Sequence, residues 1–249
     1  MPDDVVTIAY FGASAFRITT SRDKKILIDP YLAQNPMCQK PLDYFYDTDL
    51  ILVSHGSWDH FGDTVDIMKG SKAVLICGAE VSKYCQEVGV PAERIKATLY
   101  GDHKEFDGIH TKAVYARHVS RIQGETETYY GQPMGFVITT EDDIRIYHTG
   151  DTSLFGDLKL IGRLYQPHIL MTEIAGVGEG YNSGMSVNEA AMAALYVGPD
   201  AVMPMHYPPG SDAPLRFSEA LKVIAPNVKP VIIEPNSQIT YSKYQIRVG

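Results

Sequence analysis

The feature that most constrains this chain is where its histidines and aspartates fall. Four short apolar runs each finish on a side chain able to ligate a metal. Residues 50–54 lead into His55-Gly56-Ser57-Trp58-Asp59-His60, and residues 113–117 into His118. Residues 144–147 lead into His148-Thr149-Gly150-Asp151, and residues 201–205 into His206. Apolar runs of this length read as buried strands. Five imidazoles and two carboxylates thus sit just past strand ends. Strands that finish at a common edge would gather these groups from distant parts of the chain. Neutral imidazole with carboxylate is a donor set for Zn²⁺, and it suits Mn²⁺ or Fe²⁺ as well.

Each residue also has a plainer reading. A single strand-end histidine is more often a hydrogen-bonded core residue than a ligand. His103, His110 and His168 stand in polar or turn contexts and fall outside the set. His148, inside its strand, fits a core or supporting role. Asp151 could cap a helix over residues 154–164, and Asp59 could start a short helix. These readings do not account for the coincidence of so many groups at strand ends.

The rest of the 249-residue chain supplies a frame for one continuous domain, 1–249. Strands are expected over residues 5–11, 15–20 and 25–29, then a Pro- and Tyr-rich irregular stretch over 31–49. A strand over 73–77, a helix over 79–88 ended by Gly89, and a hairpin of 135–140 with 144–148 follow. The last third alternates: helix 154–164, strand 169–172, helix 186–197, strand 201–205, helix 216–224, then strands from 230 onward. Ser186 and Glu189 have the spacing of a capping box. Strands early and helices late indicate two packed sheets with helices on their outer faces.

Charge narrows the partners. Lys and Arg number 22 against 30 Asp and Glu, a net charge of −8, and no basic run occurs. A nucleic-acid backbone is therefore a poor expected partner, and a small-molecule substrate the better one. No run of 18 apolar residues is present, so no membrane span is expected. Met-Pro-Asp-Asp does not begin a signal peptide. Three cysteines, Cys38, Cys77 and Cys85, suit a reducing cytoplasm rather than a disulfide framework. The irregular Tyr- and Pro-rich segments offer contact surface for a homo-oligomer.

The motif His55-x-Ser57-x-Asp59-His60 resembles the His-x-His-x-Asp-His signature of the metallo-β-lactamase superfamily, with Ser57 in place of the second histidine. Its neighbours tighten the match. Asp29-Pro30, Ser54-His55-Gly56, Gly62-Asp63, Tyr147-His148-Thr149-Gly150-Asp151-Thr152, Leu154-Phe155-x-Asp157 and Met203-Pro204-Met205-His206-Tyr207 occur in that order. They are similar to the ascorbate-6-phosphate-lactonase-like branch of small metal-dependent hydrolases, over roughly residues 5–240. The resemblance implies an α/β, four-layer αββα sandwich with divalent metal, one or two ions, at one sheet edge. It implies His55 and His118 on the first ion, Asp59, His60 and His206 on the second, and Asp151 between them. Asp59 and Asp151 are the implied catalytic carboxylates. Such ions polarise a carbonyl or phosphoryl oxygen and acidify water towards neutrality.

Ser57 breaks the signature, because a neutral hydroxyl is a poor ligand at pH 7. Three outcomes are open: one ion in the second group, two ions with weaker affinity at the first, or a substitute ligand. Glu173, at the end of an apolar strand, is the candidate substitute. Its alternative role is to hydrogen-bond a ligand histidine. Arg117 and Arg121 flank His118 and could bind an anionic group. Trp58 lies inside the motif, residues 119–133 could form a lid or oligomer contact, and Tyr181 and Asn182 in the glycine-rich stretch 176–184 could orient a ligand. The expected function is hydrolysis of a small, anionic metabolite through a lactone, amide, ester or phosphodiester bond. The alternatives are a phosphodiesterase or nuclease of the same fold, and a non-catalytic metal- or ligand-binding module.

Overall fold

A computed structural model describes residues 5–176, 184–243 and 245–248. Its first half is a sheet built on β1 (Val5–Tyr10), β2 (Phe16–Thr19), β3 (Lys25–Ile28), β4 (Leu50–Val53), β5 (Val74–Cys77) and β6 (Ile95–Ala97). Three helices, α1 (Trp58–Phe61), α2 (Thr64–Gly70) and α3 (Ala79–Glu87), lie between these strands in sequence. Next come β7 (His103–Phe106), β8 (Ile109–Tyr115), β9 (Ser120–Gln123), β10 (Thr128–Gly131), β11 (Met134–Thr139) and β12 (Arg145–His148). The chain then runs through α4 (Leu158–Tyr165), β13 (Ile169–Glu173), α5 (Val187–Val197), β14 (Ala201–Met205) and α6 (Ala213–Ile224). It ends with β15 (Lys229–Pro230), β16 (Gln238–Ser242) and β17 (Gln245–Val248). The strand orders are β17-β16-β1-β2-β3-β4-β5-β6 and β15-β14-β13-β12-β11-β8-β7, with β9 and β10 as a separate ribbon.

Side-chain alternation explains the layers. In β4, Leu50 and Leu52 join the core between the two sheets, whereas Ile51 and Val53 join the one beneath α2 and α3. In β13, Ile169 and Met171 face the first sheet and Leu170 faces α4, α5 and α6. Both faces of these strands are covered, which is why they read as unbroken apolar runs. The result is the helix–sheet–sheet–helix order expected from the sequence. Parallel pairing joins β3 to β4 and β4 to β5 in one sheet, and β12 to β13 and β13 to β14 in the other. The carboxyl ends of those central strands are where an α/β sheet offers its side chains to a ligand.

Several boundaries differ from expectation. Helix α4 starts at Leu158, not at residue 154, and its N-cap is Asp157 rather than Asp151. The segment in front of it is tied to the end of β8: Arg117 N–H donates to Thr152 Oγ1 at 2.9 Å, and Ser153 N–H to the Arg117 carbonyl at 3.0 Å. Residues 119–133 hold the β9–β10 ribbon, whose Ser120 and Ile122 point inward and Arg121 and Gln123 outward. Helix α6 begins at Ala213, with Pro214 in the first turn, where its missing N–H costs nothing. The capping box forms as expected, with Glu189 N–H on Ser186 Oγ at 3.3 Å and Ser186 N–H on Glu189 Oε2 at 2.9 Å. Among the described residues no helix is long and apolar enough to cross a membrane.

Candidate metal centre

Six of the strand-end residues meet. His55, His118 and Asp151 form one group, and Asp59, His60 and His206 another, each with its donor atoms within 4.8 Å of one another. His55 follows β4, while Asp59 and His60 ride on the single turn of α1, whose N-cap is Ser57. His118 follows β8, Asp151 follows β12 and His206 follows β14. Asp151 bridges the groups: its Oδ1 lies 3.2 Å from His60 Nε2, and its Oδ2 lies 3.6 Å from His206 Nε2 and 3.8 Å from His118 Nε2. The ring centroids of His55 and His60 are 4.1 Å apart.

Asp29, just past β3, sets the orientation of two of these rings. Its Oδ2 accepts from Ser54 Oγ at 2.7 Å and lies 2.8 Å from His60 Nδ1. Ser54 Oγ in turn lies 2.9 Å from His55 Nδ1. Since the serine proton goes to Asp29, Ser54 accepts from the Nδ1–H of His55, and Asp29 accepts from that of His60. Both rings then turn an unprotonated Nε2 inward, the tautomer a metal requires. His55 Nε2, His60 Nε2 and Asp151 Oδ1 are all buried, and none has a hydrogen-bond partner of acceptable geometry. Three buried acceptors facing one space are costly unless a cation joins them. The donor set therefore fits a divalent ion.

The electrostatics agree. Burial drives the His55 pKa down to about 3, with His60 adding to the effect. Burial also lowers that of His118. Burial disfavours the Asp151 anion, but His60 and His206 outweigh it and hold the carboxyl well below its usual range. Burial likewise disfavours charge on His60, yet Asp151 and Asp29 raise its pKa well above normal.

The remaining candidates separate clearly. Ser57 Oγ donates to Asp59 Oδ1. Glu173, fully buried, spends its oxygens on backbone N–H groups: Thr152 at 3.3 Å and Met185 at 2.8 Å on Oε1, and Ala175 at 2.9 Å on Oε2. It fastens the turn that carries Asp151 and stands outside both donor groups. His148 supports that turn too, its Nδ1 accepting from Gly150 N–H at 3.1 Å. Gly150 has φ +58°, and a Cβ there would lie 2.8 Å from the Met134 carbonyl oxygen. Arg117 lies over the Phe155 ring at 5.6 Å. His103 and His110 stack on each other, and His168 accepts from Arg145 N–H. Tyr181 and Asn182 lie outside the described residues.

Asp29 and Ser54 had been noticed in the sequence only as parts of a motif, without a role. Asp29-Pro30 after an apolar strand carries the same strand-end signal as the histidines. Asp29 and His206 also adopt φ of +45° and +59°, conformations that non-glycine residues hold only under constraint.

Comparison with known proteins follows the same line. A family model described as a β-lactamase superfamily domain matches residues 24–207. A UPF0173 metal-dependent hydrolase of Rubrobacter xylanophilus is 40% identical over 202 residues, 80% of this chain and 81% of the relative. Another, of Methanosphaera stadtmanae, is 38% identical over 230 residues, 91% and 92% of the two chains. Among solved structures, Igni18, a metallo hydrolase of Ignicoccus hospitalis, superposes with a TM-score of 0.81 at 27% identity, covering 96% of this chain and 99% of that one. With two sheets, a shared cluster of imidazoles and carboxylates, and relatives of this similarity, the chain belongs to the β-lactamase superfamily and is a metal-dependent hydrolase of the metallo-β-lactamase fold.

Proposed function

We propose that His55, His118 and Asp151 would hold one divalent ion and Asp59, His60 and His206 another, and that the site hydrolyses a small anionic molecule. The observation that carries this reading is the set of buried, unpartnered acceptors His55 Nε2, His60 Nε2 and Asp151 Oδ1. Zn²⁺, Mn²⁺ and Fe²⁺ all suit such donors. When bound, the ions supply Lewis acidity, polarising a carbonyl or phosphoryl oxygen and acidifying water.

The chain's own residues do the rest. A cavity of about 620 Å³ opens over Asp59, His118, Asp151 and His206, large enough for a small metabolite. Ser57 Oγ donates to Asp59 Oδ1 and orients that carboxylate. Asp59 is only half-buried and reaches solvent at the cavity floor. Burial disfavours its charge, but His206, His60 and Ser57 outweigh it and hold the carboxyl well below the usual carboxylate range, so it meets the substrate as a carboxylate anion. Asp151, buried and braced by the backbone around Thr152, keeps its charge fixed during the reaction. A net charge of −8 favours a small substrate over a nucleic-acid strand.

Elemental analysis of the purified protein tests the metal, and hydrolysis of generic esters, lactones and phosphodiesters with Zn²⁺ or Mn²⁺ tests the chemistry. Bound metal that disappears in the His60→Ala variant, together with metal-dependent cleavage of one bond class, is the expected result. A protein that binds no divalent ion would overturn the proposal.

A further inference from the structure

A second cavity, of about 670 Å³, runs from the metal centre between α1 and the β9–β10 ribbon. It shares Tyr31, Ser57, Trp58 and His118 with the cavity over the cluster, so the two cavities adjoin at those residues. Ser57, a small side chain, lies where they adjoin. One wall is aromatic. Tyr31 meets Trp58 edge to face with ring centroids 5.2 Å apart, and Phe61 meets Tyr84 in the same way at 5.5 Å. Trp58 is 70% exposed, a large apolar surface left facing the cleft mouth.

The other wall carries Arg121. This guanidinium is exposed, and among the described residues no carboxylate lies within ion-pair distance of it. Asp63, the acid on the cavity lining, is already engaged by Leu32 N–H at 2.8 Å and Ala33 N–H at 2.9 Å. The distance from Arg121 to the metal centre is fixed by packing. Gly56, next to His55, approaches so closely that a Cβ there would lie 3.1 Å from the Arg121 carbonyl carbon and oxygen. Gly56 N–H donates to Ser120 Oγ at 2.8 Å, and Ser120 Oγ donates to the buried carboxylate of Glu80 on α3. The ribbon is thus fastened both to the turn that carries His55 and to the helix behind it.

We infer that this cleft is the substrate's second subsite, and that it takes a planar, conjugated or aromatic arm bearing an anionic group. The arm stacks on Trp58 and Tyr31 while Arg121 forks onto its carboxylate or phosphate. A guanidinium matches such planar anions with paired N–H donors, and aromatic rings supply apolar area at little entropic cost. The inference rests on the proposed metal-centred function and names the class of molecule that function serves.

Trp58 is the only tryptophan in the chain, so its emission reports directly on the cleft. The metal-loaded protein is titrated with 4-methylbenzoate, with neutral 4-methylbenzamide and with acetate, and the metal content of every sample is measured alongside. Saturable binding of the aryl acid, weaker binding of the amide and none of acetate are expected. Arg121→Gln should weaken the aryl acid about tenfold or more and leave the amide unchanged, as loss of one charged hydrogen-bonding pair predicts. Arg121→Lys should fall between, and calorimetry on Trp58→Ala should show both aryl probes weakened. Metal present but equal affinity for the acid in wild type and Arg121→Gln would overturn the subsite, as would failure of any aryl probe to bind. A protein without metal would instead remove the function on which the subsite depends.

Discussion

The two donor groups share Asp151 but are not equally built. The second owns a carboxylate and two histidines: Asp59, His60 and His206. His60 is oriented directly by buried Asp29, and His206 is held by its own N–H on the Ala13 carbonyl at 2.8 Å. The first group has two histidines and depends on the shared Asp151 for its only carboxylate. His55 reaches Asp29 only through Ser54. Affinity rises with ligand charge and number and with how firmly the ligands are held. The second group should therefore fill first, and the first should fill weakly.

The harshest test of this gradation removes what the groups share. Asp151→Asn should lower activity by on the order of 10³-fold, since losing the charge proposed to be shared between the two groups would cost several kcal/mol. Metal analysis should show both classes of site weakened together. If only one weakens, Asp151 is not the bridge. Asp29→Asn comes next, because Asp29 orients His60 directly and His55 through Ser54. A loss of metal affinity of about 10–100-fold is expected at both groups, measured by competition with a chelator. Ser54→Ala should confine its effect to the first group, and an equal effect on both would erase the distinction drawn here.

Much of this was legible in the sequence, and the exceptions are instructive. The apolar runs of β4, β13 and β14 declared themselves because both faces of each strand are covered. The six residues that meet were visible because each follows such a run within a few residues. Asp29 was harder to assign, since a lone aspartate before proline is also an ordinary turn former, and only tertiary packing shows it buried against His60. The role of Glu173 could not be read at all. As a strand-end carboxylate it looked like any ligand, and its choice of three backbone N–H groups depends on where the chain folds back at Ala175 and Met185. Residues 119–133 suggested a lid or an oligomer contact without strands of their own, because Gly124 and polar neighbours mask a short alternation of inward Ser120 and Ile122 with outward Arg121 and Gln123.

Ser57→His offers a gentler probe, aimed at the weaker group alone. Restoring an imidazole beside His55 and His118 should raise the affinity of the first group about tenfold and leave the second unchanged, which sequential metal titration can resolve. The gap between the two classes would narrow. Unchanged affinity at both would mean that the Ser57 backbone does not present its side chain to the first ion.

The smallest expected effect concerns Glu173, which braces Asp151 and so bears on both groups equally. Burial and the nearby Asp151 charge push its pKa up to about 7 in the absence of metal. A carboxyl raised in this way binds its proton more tightly in the folded state than in the unfolded chain. Its contribution to stability is complete below the ordinary glutamate pKa and fades as pH rises through about 7. The metal-free protein should therefore lose thermal stability between about pH 5 and pH 8, and Glu173→Gln should flatten that slope. Bound cations offset the Asp151 charge that helps to raise Glu173, so the metal-loaded protein should show a smaller slope over the same range. Metal stoichiometry should stay at the wild-type value in Glu173→Gln, because its oxygens serve the backbone. A lost equivalent of metal would instead return Glu173 to the donor set and supply the first group with the carboxylate it otherwise has to share.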